Sequence, residues 1–460
     1  MRLRVLALAL GLGGCAESAS PVPDAAPGKA PAAALPNAPA PAPVWTDAWL
    51  LEQTASFLDD ATFRRQMLEA SLTNPDNVYS AVRLSAYGRE HSGWDTLPVW
   101  IPTTSAVDDA TVAALRGGSP PTLAPDAAPV WDGQRPATMQ GWVDLGRRVF
   151  FSYPLRPEVF AEHALAHPDV GRAVGLVPAP DGSWPGVVTF RDLDGSARIG
   201  ITCALCHVSV EGDDLVIGRA RRDFDYGQMR LSFHRDTGAP LPADLAARMA
   251  SWGPGRADIT QDDDEDPVAI PDLWRVREQS HLTQAGTLRQ VHPAALAIRQ
   301  ETQILHANRE RTRPPRELAW ALAMYVYSLT PPGRPEVAVD DRTRRGHALF
   351  ETHCRDCHDE PNGTGLPIDA RRIGTEPSLA FGDARGTGKY RPAPLVRVAE
   401  AAPYLHHGVV ASLDELLSPA RFEADYAGGV RGPGPIPGHR WGTDLPADDR
   451  AAVVAFLRTL

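Results

Sequence analysis

Two pentapeptides in this chain combine residue types and spacing suited to chemistry: Cys203-Ala204-Leu205-Cys206-His207 and Cys354-Arg355-Asp356-Cys357-His358. Two thiols separated by two residues reach the two vinyl groups of one porphyrin, and the adjoining histidine then meets the iron from the same side. The pattern C-x-x-C-H therefore predicts a covalently attached c-type haem at each site. Cys203, Cys206, Cys354 and Cys357 are the attachment points, and His207 and His358 are the proximal ligands. Other uses of paired cysteines fit less well. A structural zinc site does not require a histidine after each second cysteine, and a redox dithiol belongs beside a βαβ pattern that neither motif has. The chain holds five cysteines and the two motifs take four of them.

Helices must position these motifs, and their signals are readable. Gly141–Phe151 carries Val143, Leu145, Val149 and Phe150 at helical spacing, and Arg316–Leu329 is a strongly apolar helix bracketed by Pro314-Pro315 and Pro331-Pro332. Asp341–His353 leads directly into Cys354. Asp448–Leu460, with Asp448 or Asp449 as its cap, closes the chain. The missing Cβ of Gly346 would let its helix approach Phe456 of the closing helix, and Gly146 with Phe150 is similar to the glycine and aromatic pair by which the first helix of small c-type cytochromes crosses the last. Val187–Phe190 reads as a short strand ahead of the first motif. The fold class expected is mainly α: two cytochrome c-like haem domains in tandem, at 137–333 and 334–460, hinged at Pro331–Pro335. They follow an irregular N-terminal extension at 44–136, in which 47–70 reads as helical.

A length of 460 residues allows two or three domains. A net charge of −11 without a basic cluster argues against nucleic-acid binding. Residues 1–15 read as a secretory signal: Arg2 and Arg4, an apolar run too short to span a bilayer, then Leu12-Gly13-Gly14-Cys15. That ending resembles a bacterial lipobox, with Cys15 as the lipidated residue. Residues 16–43, rich in Ala and Pro, read as a solvated tether. The address expected is the periplasm or cell envelope, with the membrane reached only through the lipid.

The layout resembles the bacterial di-haem cytochrome c peroxidase superfamily, which includes the methylamine-utilisation di-haem enzyme and the di-haem rubber oxygenases. The likeness rests on the two motifs and on Arg391-Pro392-Ala393-Pro394-Leu395 running to Ala402-Pro403-Tyr404-Leu405-His406-His407-Gly408, followed by a short helix at Ser412–Leu417. Gly438-His439-Arg440-Trp441-Gly442-Thr443 is similar to members near the rubber oxygenases. The resemblance covers about residues 140–460. It implies an open first haem that meets peroxide or dioxygen, and a second haem that passes electrons to or from a small redox protein or small molecule. Where relatives place a Met or Tyr ligand, this chain has Ala420, so the second haem either takes its sixth ligand elsewhere, from His439 first and from His406 or His407 next, or has none. A propionate or backbone hydrogen bond is the competing role for each. Arg289 and Gln290 fall where family peroxidases keep a catalytic Glu, which puts ordinary peroxidase activity in question. Glu301 and His292 are alternative bases, unless they lie on a solvated helix face. Trp274 is either an electron relay or a core residue, and Asp262–Asp266 either a calcium site or a solvated acidic loop. A non-catalytic carrier with two six-coordinate haems is the other reading.

Mature protein from a host with a competent maturation system is expected to show two porphyrin additions by intact mass and two haems per chain by pyridine haemochrome. Replacing both thiols of either pair with alanine should remove one of them. Fewer than two additions in the unaltered chain would contradict the motif reading.

Overall fold

The structure, a computed structural model, describes residues 45–258, 266–333, 337, 339–359 and 362–460. The leader at 1–15 with Cys15, the tether at 16–43, Asp262–Glu265 of the acidic run and Arg334-Pro335 of the hinge lie outside them. No helix among the described residues is long and apolar enough to cross a membrane.

Two helix pairs set the framework. Met139–Ser152 lies against Arg316–Ser328, and Asp341–His353 lies against Ala447–Leu457. Both crossings run backbone to backbone. A Cβ on Gly146 would sit 1.9 Å from the Ala321 carbonyl oxygen, and one on Gly346 would sit 1.9 Å from that of Ala452 and 2.9 Å from the Phe456 Cβ. Thr138 caps the first helix through the Gly141 N–H (3.1 Å), and Asp340 caps the third through Thr343 (2.8 Å). The last helix begins at Ala447 behind Pro446. Asp448 and Asp449, expected as caps, instead occupy its first turn, where carboxylates meet the positive end of the helix dipole.

The N-terminal extension is not irregular. It forms helices at Asp47–Asp59, Ala61–Ser71, Val78–Ala86 and Asp109–Arg116. The helical stretch expected at 47–70 is broken at Asp60, whose backbone is extended (φ −111°, ψ 105°) while its carboxylate accepts from the Phe63 N–H at 3.0 Å. Leu50, Phe57 and Leu68 bury into the same core as Trp142, Phe150 and Trp320, with Phe57 stacked on Trp320 at 5.2 Å. Thr103–Ala106 joins a four-stranded antiparallel sheet, in the order Ala128–Pro129, Thr103–Ala106, Val187–Arg191, Ala197–Ile201. The expected strand is thus an inner one, with Thr104 opposite Phe190 and Thr189 opposite Ile199. The remaining sheets of the described residues are two-stranded, and the fold is largely helical.

A backbone pattern recurs at a constant offset of 122 positions (397 − 275). Arg275 and Arg397, both at φ 54°, each start a 3-10 turn, Val276–Glu278 and Val398–Glu400, and each pairs with the glutamate three residues on. Thr283 and Leu405 (φ 73° and 69°) and Gly286 and Gly408 (φ 60° and 61°) follow in step. The antiparallel pairs Leu282–Leu288 and Tyr404–Val410 are in step as well.

Gly146→Ala is expected to lower unfolding free energy by about 1–3 kcal/mol or more, the range for overpacking a core that cannot relax. Denaturant unfolding checks this, and an unchanged midpoint would mean that the helices part at little cost.

Candidate functional site

Strand Ala197–Ile201 delivers the first motif. Thr202 follows, its hydroxyl accepting from the Ala204 N–H at 3.3 Å, and Ala204–His207 makes one helical turn. Gly186 lies under that turn, where a Cβ would fall 2.0 Å from the Leu205 nitrogen. The hairpin Val208–Glu211/Asp214–Ile217 brings the chain back, so that the Gly218 N–H donates to the His207 carbonyl (2.9 Å) and the Leu273 N–H to the Gly218 carbonyl (2.7 Å). This places the Pro271 carbonyl 3.1 Å from His207 Nδ1. A carbonyl only accepts, so the proton sits on Nδ1 and the Nε2 lone pair is free.

The second motif reaches the same tautomer by another route. Cys354 terminates helix Asp341–His353, and the His358 N–H donates to the Cys354 carbonyl at 3.0 Å. His358 Nδ1 then donates to the Gly363 carbonyl at 2.7 Å. Burial lowers the His358 pKa, and burial pushes His207 down to about 4, so both rings are neutral at pH 7. Burial also raises the thiols: Cys203 to about 12, Cys206 and Cys354 to about 11, with Cys357 moved the same way. Such thiols are poor nucleophiles and poor metal ligands, yet as thioethers they carry no charge to solvate. Among the described residues no three His, Cys, Asp or Glu side chains converge to hold a metal ion.

A cavity of about 290 Å³ opens at the second motif. Cys354, Cys357 and His358 form one wall, and His439 and Trp441 contribute to the lining as well. Phe350, Leu395, Val453 and Leu457 supply apolar surface. The His358 and His439 rings have centroids 6.3 Å apart. With metal–nitrogen bonds of about 2.0–2.1 Å and roughly 1.1 Å from imidazole nitrogen to ring centre, two rings on opposite sides of one metal stand about 6.3 Å apart. His439 Nδ1 has no hydrogen-bond partner, and burial lowers its pKa to about 4. The donor set, the tautomer and the spacing all fit a haem iron at this position. Among the described residues His207 has no comparable ring contact.

The structure separates the other candidates. His406 lines the cavity but is stacked between Tyr390 (4.0 Å) and His407 (4.4 Å), with Nε2 facing the Glu376 carboxylate at 3.6 Å. His407 is off the lining, and so is Ala420, which lies in the 3-10 turn Pro419–Phe422. Trp274 is a core residue (2 % exposed), its indole donating to the Ile217 carbonyl at 2.9 Å, and it also borders the cavity with Pro271. Gln290 donates to the Val276 carbonyl (2.9 Å) and accepts from Tyr327 (2.9 Å), while Arg289 donates to the Leu72 carbonyl. Glu301 is not on a solvated face. It is 1 % exposed, accepts from the Tyr87 hydroxyl at 2.8 Å and faces Arg316, and burial raises its pKa. His292 is packed edge-on between Trp49 and Phe63 and accepts from the Ala294 N–H at 3.0 Å.

Sequence reasoning missed the carbonyls of Pro271 and Gly363. The only available signal was the repeated Arg-x-x-Glu, which stands four residues beyond Pro271 and, in the second half, four beyond Ala393, whose carbonyl also faces His358.

No family model matches this chain, and no curated protein matches it. Solved structures similar to it include a MauG-like protein associated with microbial copper homeostasis, at 20% identity over 46% of this chain and 79% of that one, with a TM-score of 0.30. Another is hydrazine synthase of Kuenenia stuttgartiensis, at 14% identity over 74% of this chain and 98% of that one, with a TM-score of 0.31. At these TM-scores neither likeness bears on the fold or the chemistry of this chain.

Burial pushes His292 and His281 down to about 4, against an ordinary value near 6.5. Between those values the unfolded chain binds protons that the folded chain refuses. The stability these two rings contribute is therefore complete above pH 6.5 and is lost as the pH drops towards 4. Denaturant midpoints measured across this range should decline, and His292→Gln should flatten the slope. An equally steep slope in the variant would remove His292 from this account.

Proposed function

We propose that this chain is an exported di-haem c-type cytochrome in which the two haems have different tasks. Cys354, Cys357, His358 and His439 would hold the second, which would serve as the electron-transfer centre. Cys203, Cys206 and His207 would hold the first, which would supply a peroxidase- or oxygenase-like site. The observation that carries this reading is the 6.3 Å pairing of the His358 and His439 rings, which has no counterpart at His207 among the described residues.

Bound haem would supply one-electron redox chemistry and, where a coordination position is free, reaction with peroxide or dioxygen. The chain's own part is to orient and to insulate. Pro271 and Gly363 hold the proximal imidazoles with Nε2 deprotonated, and Phe350, Leu395, Val453 and Leu457 exclude water from the second site. Gln290, at the position of the family's acid–base residue, is engaged by backbone carbonyls and by Tyr327 and has no proton to exchange at neutral pH. Chemistry at the first site would then differ from that of the ordinary peroxidases. The lipobox-like Leu12–Cys15 supports a lipid-tethered envelope location, and the partners proposed are a small redox protein or small-molecule electron donor or acceptor, with peroxide or dioxygen at the first haem.

Resting-state EPR of the two-haem protein tests the reading. One high-spin ferric signal that responds to peroxide, beside one low-spin signal that is lost in His439→Gly and restored by imidazole, is the expected result. Two low-spin signals insensitive to peroxide would favour a plain electron carrier instead.

A further inference from the structure

Arg421 is fully buried (0 % exposed), and none of its hydrogen-bond partners is a carboxylate. Its Nε donates to the Leu416 carbonyl at 3.0 Å. One terminal nitrogen donates to Ile436 at 2.6 Å, and the other to both Gly438 (2.7 Å) and His439 (2.8 Å). A buried cation spread over four carbonyls suits a planar fork, which can aim several N–H groups at once as an ammonium cannot, and the nearby Glu415 carboxylate adds a favourable attraction. Three of the four carbonyls belong to one turn, Ile436–His439. The chain returns the contact, since the Ile436 N–H donates to the Arg421 carbonyl at 2.6 Å.

The same turn is gripped from its other side. The His439 N–H donates to the Ile373 carbonyl at 3.0 Å. Gly438, at φ +91°, passes so close to Thr375 that a Cβ would lie 2.6 Å from the Thr375 Cα. His439 itself stands at φ +46°, a left-handed conformation that residues with a Cβ avoid unless their surroundings impose it. Trp441 packs edge-on against its ring at 5.7 Å. Nothing in this arrangement serves a catalytic step directly. All of it fixes where one imidazole points.

We infer that Arg421 is a positioning residue for His439: its guanidinium holds the Ile436–His439 turn in the left-handed conformation that presents the imidazole opposite His358. The inference rests on the reading of His439 as the sixth ligand of the second haem. Arg421 thereby governs the spin state and ligand exchange of a centre that it does not touch.

The test uses the full chain carrying both haems and compares Arg421→Gln, Arg421→Lys, Gly438→Ala and His439→Gly. Arg421→Gln should convert a substantial share of the second haem from low-spin to high-spin in the ferric state and let its ferrous form bind carbon monoxide. Arg421→Lys keeps the charge but lacks the fork, and should show a smaller change in the same direction. Gly438→Ala pushes the same turn from the Thr375 side and should reproduce the spectral change with Arg421 intact. If His439→Gly leaves the second haem low-spin, the ligand reading itself fails. If His439→Gly converts it while Arg421→Gln and Gly438→Ala stay low-spin and refuse carbon monoxide, the ligand reading stands and the role of Arg421 is overturned. Should Arg421→Gln not accumulate as a two-haem protein, Arg421→Lys and Gly438→Ala decide by the same spectra.

Discussion

The fold depends on how closely two backbones can approach. At Gly146 and again at Gly346, one helix rests on the carbonyl oxygens of another at a distance that leaves no room even for a methyl group. That contact fixes the closing helix of each half, and the closing helices carry the apolar side chains around which everything else is arranged. Trp320 and Tyr325 from the first turn into the core shared with the N-terminal helices, while Val453 and Leu457 from the second line the cavity at Cys354. In the second half the opening helix also ends directly on a cysteine, so helix placement and cysteine placement are one event. In the first half a sheet carries the motif into position, and Thr103–Ala106 of the N-terminal extension supplies that sheet's neighbouring strand.

Both histidines that follow the cysteines illustrate how backbone geometry sets side-chain chemistry. An imidazole can carry its proton on either nitrogen, and only a neighbour that must accept decides between them. Pro271 and Gly363 are such neighbours, and they lie 64 and 5 residues from the rings they orient. Burial does the complementary work by keeping the rings neutral. The result is two neutral rings with their lone pairs aimed in defined directions, and at His207 the nearby Arg299 and Asp272 act in opposite senses.

What could be read in the sequence was whatever had local grammar. The C-x-x-C-H motifs are complete within five residues. The Arg316–Ser328 helix is apolar on every side and fenced by prolines, and Gly346 with Phe456 declared its own crossing. The N-terminal extension defeated the reading because its helices are short, are separated by Pro- and Gly-rich connections, and owe their stability to distant partners such as Trp320. Glu301 reads in the sequence equally as a base or as a charge on a solvated face, and its burial depends on Tyr87, more than two hundred residues away, which donates to it. Arg421, in Pro419-Ala420-Arg421-Phe422, belongs to no periodic pattern. Its role exists only once the chain has come back past it at Ile436.

The 122-residue correspondence marks a stretch where the two halves follow the same path. Between Arg275 and Gly286, and between Arg397 and Gly408, the turns keep step residue for residue. Spacing differs on either side of it. Histidine to carbonyl spans 64 residues in the first half against 35 (393 − 358) in the second, and glycine to cysteine spans 57 (203 − 146) against 8 (354 − 346). A residue inserted between Arg275 and Gly286 would put that stretch out of register with its counterpart at Arg397–Gly408, whereas the connections outside it are free to differ in length.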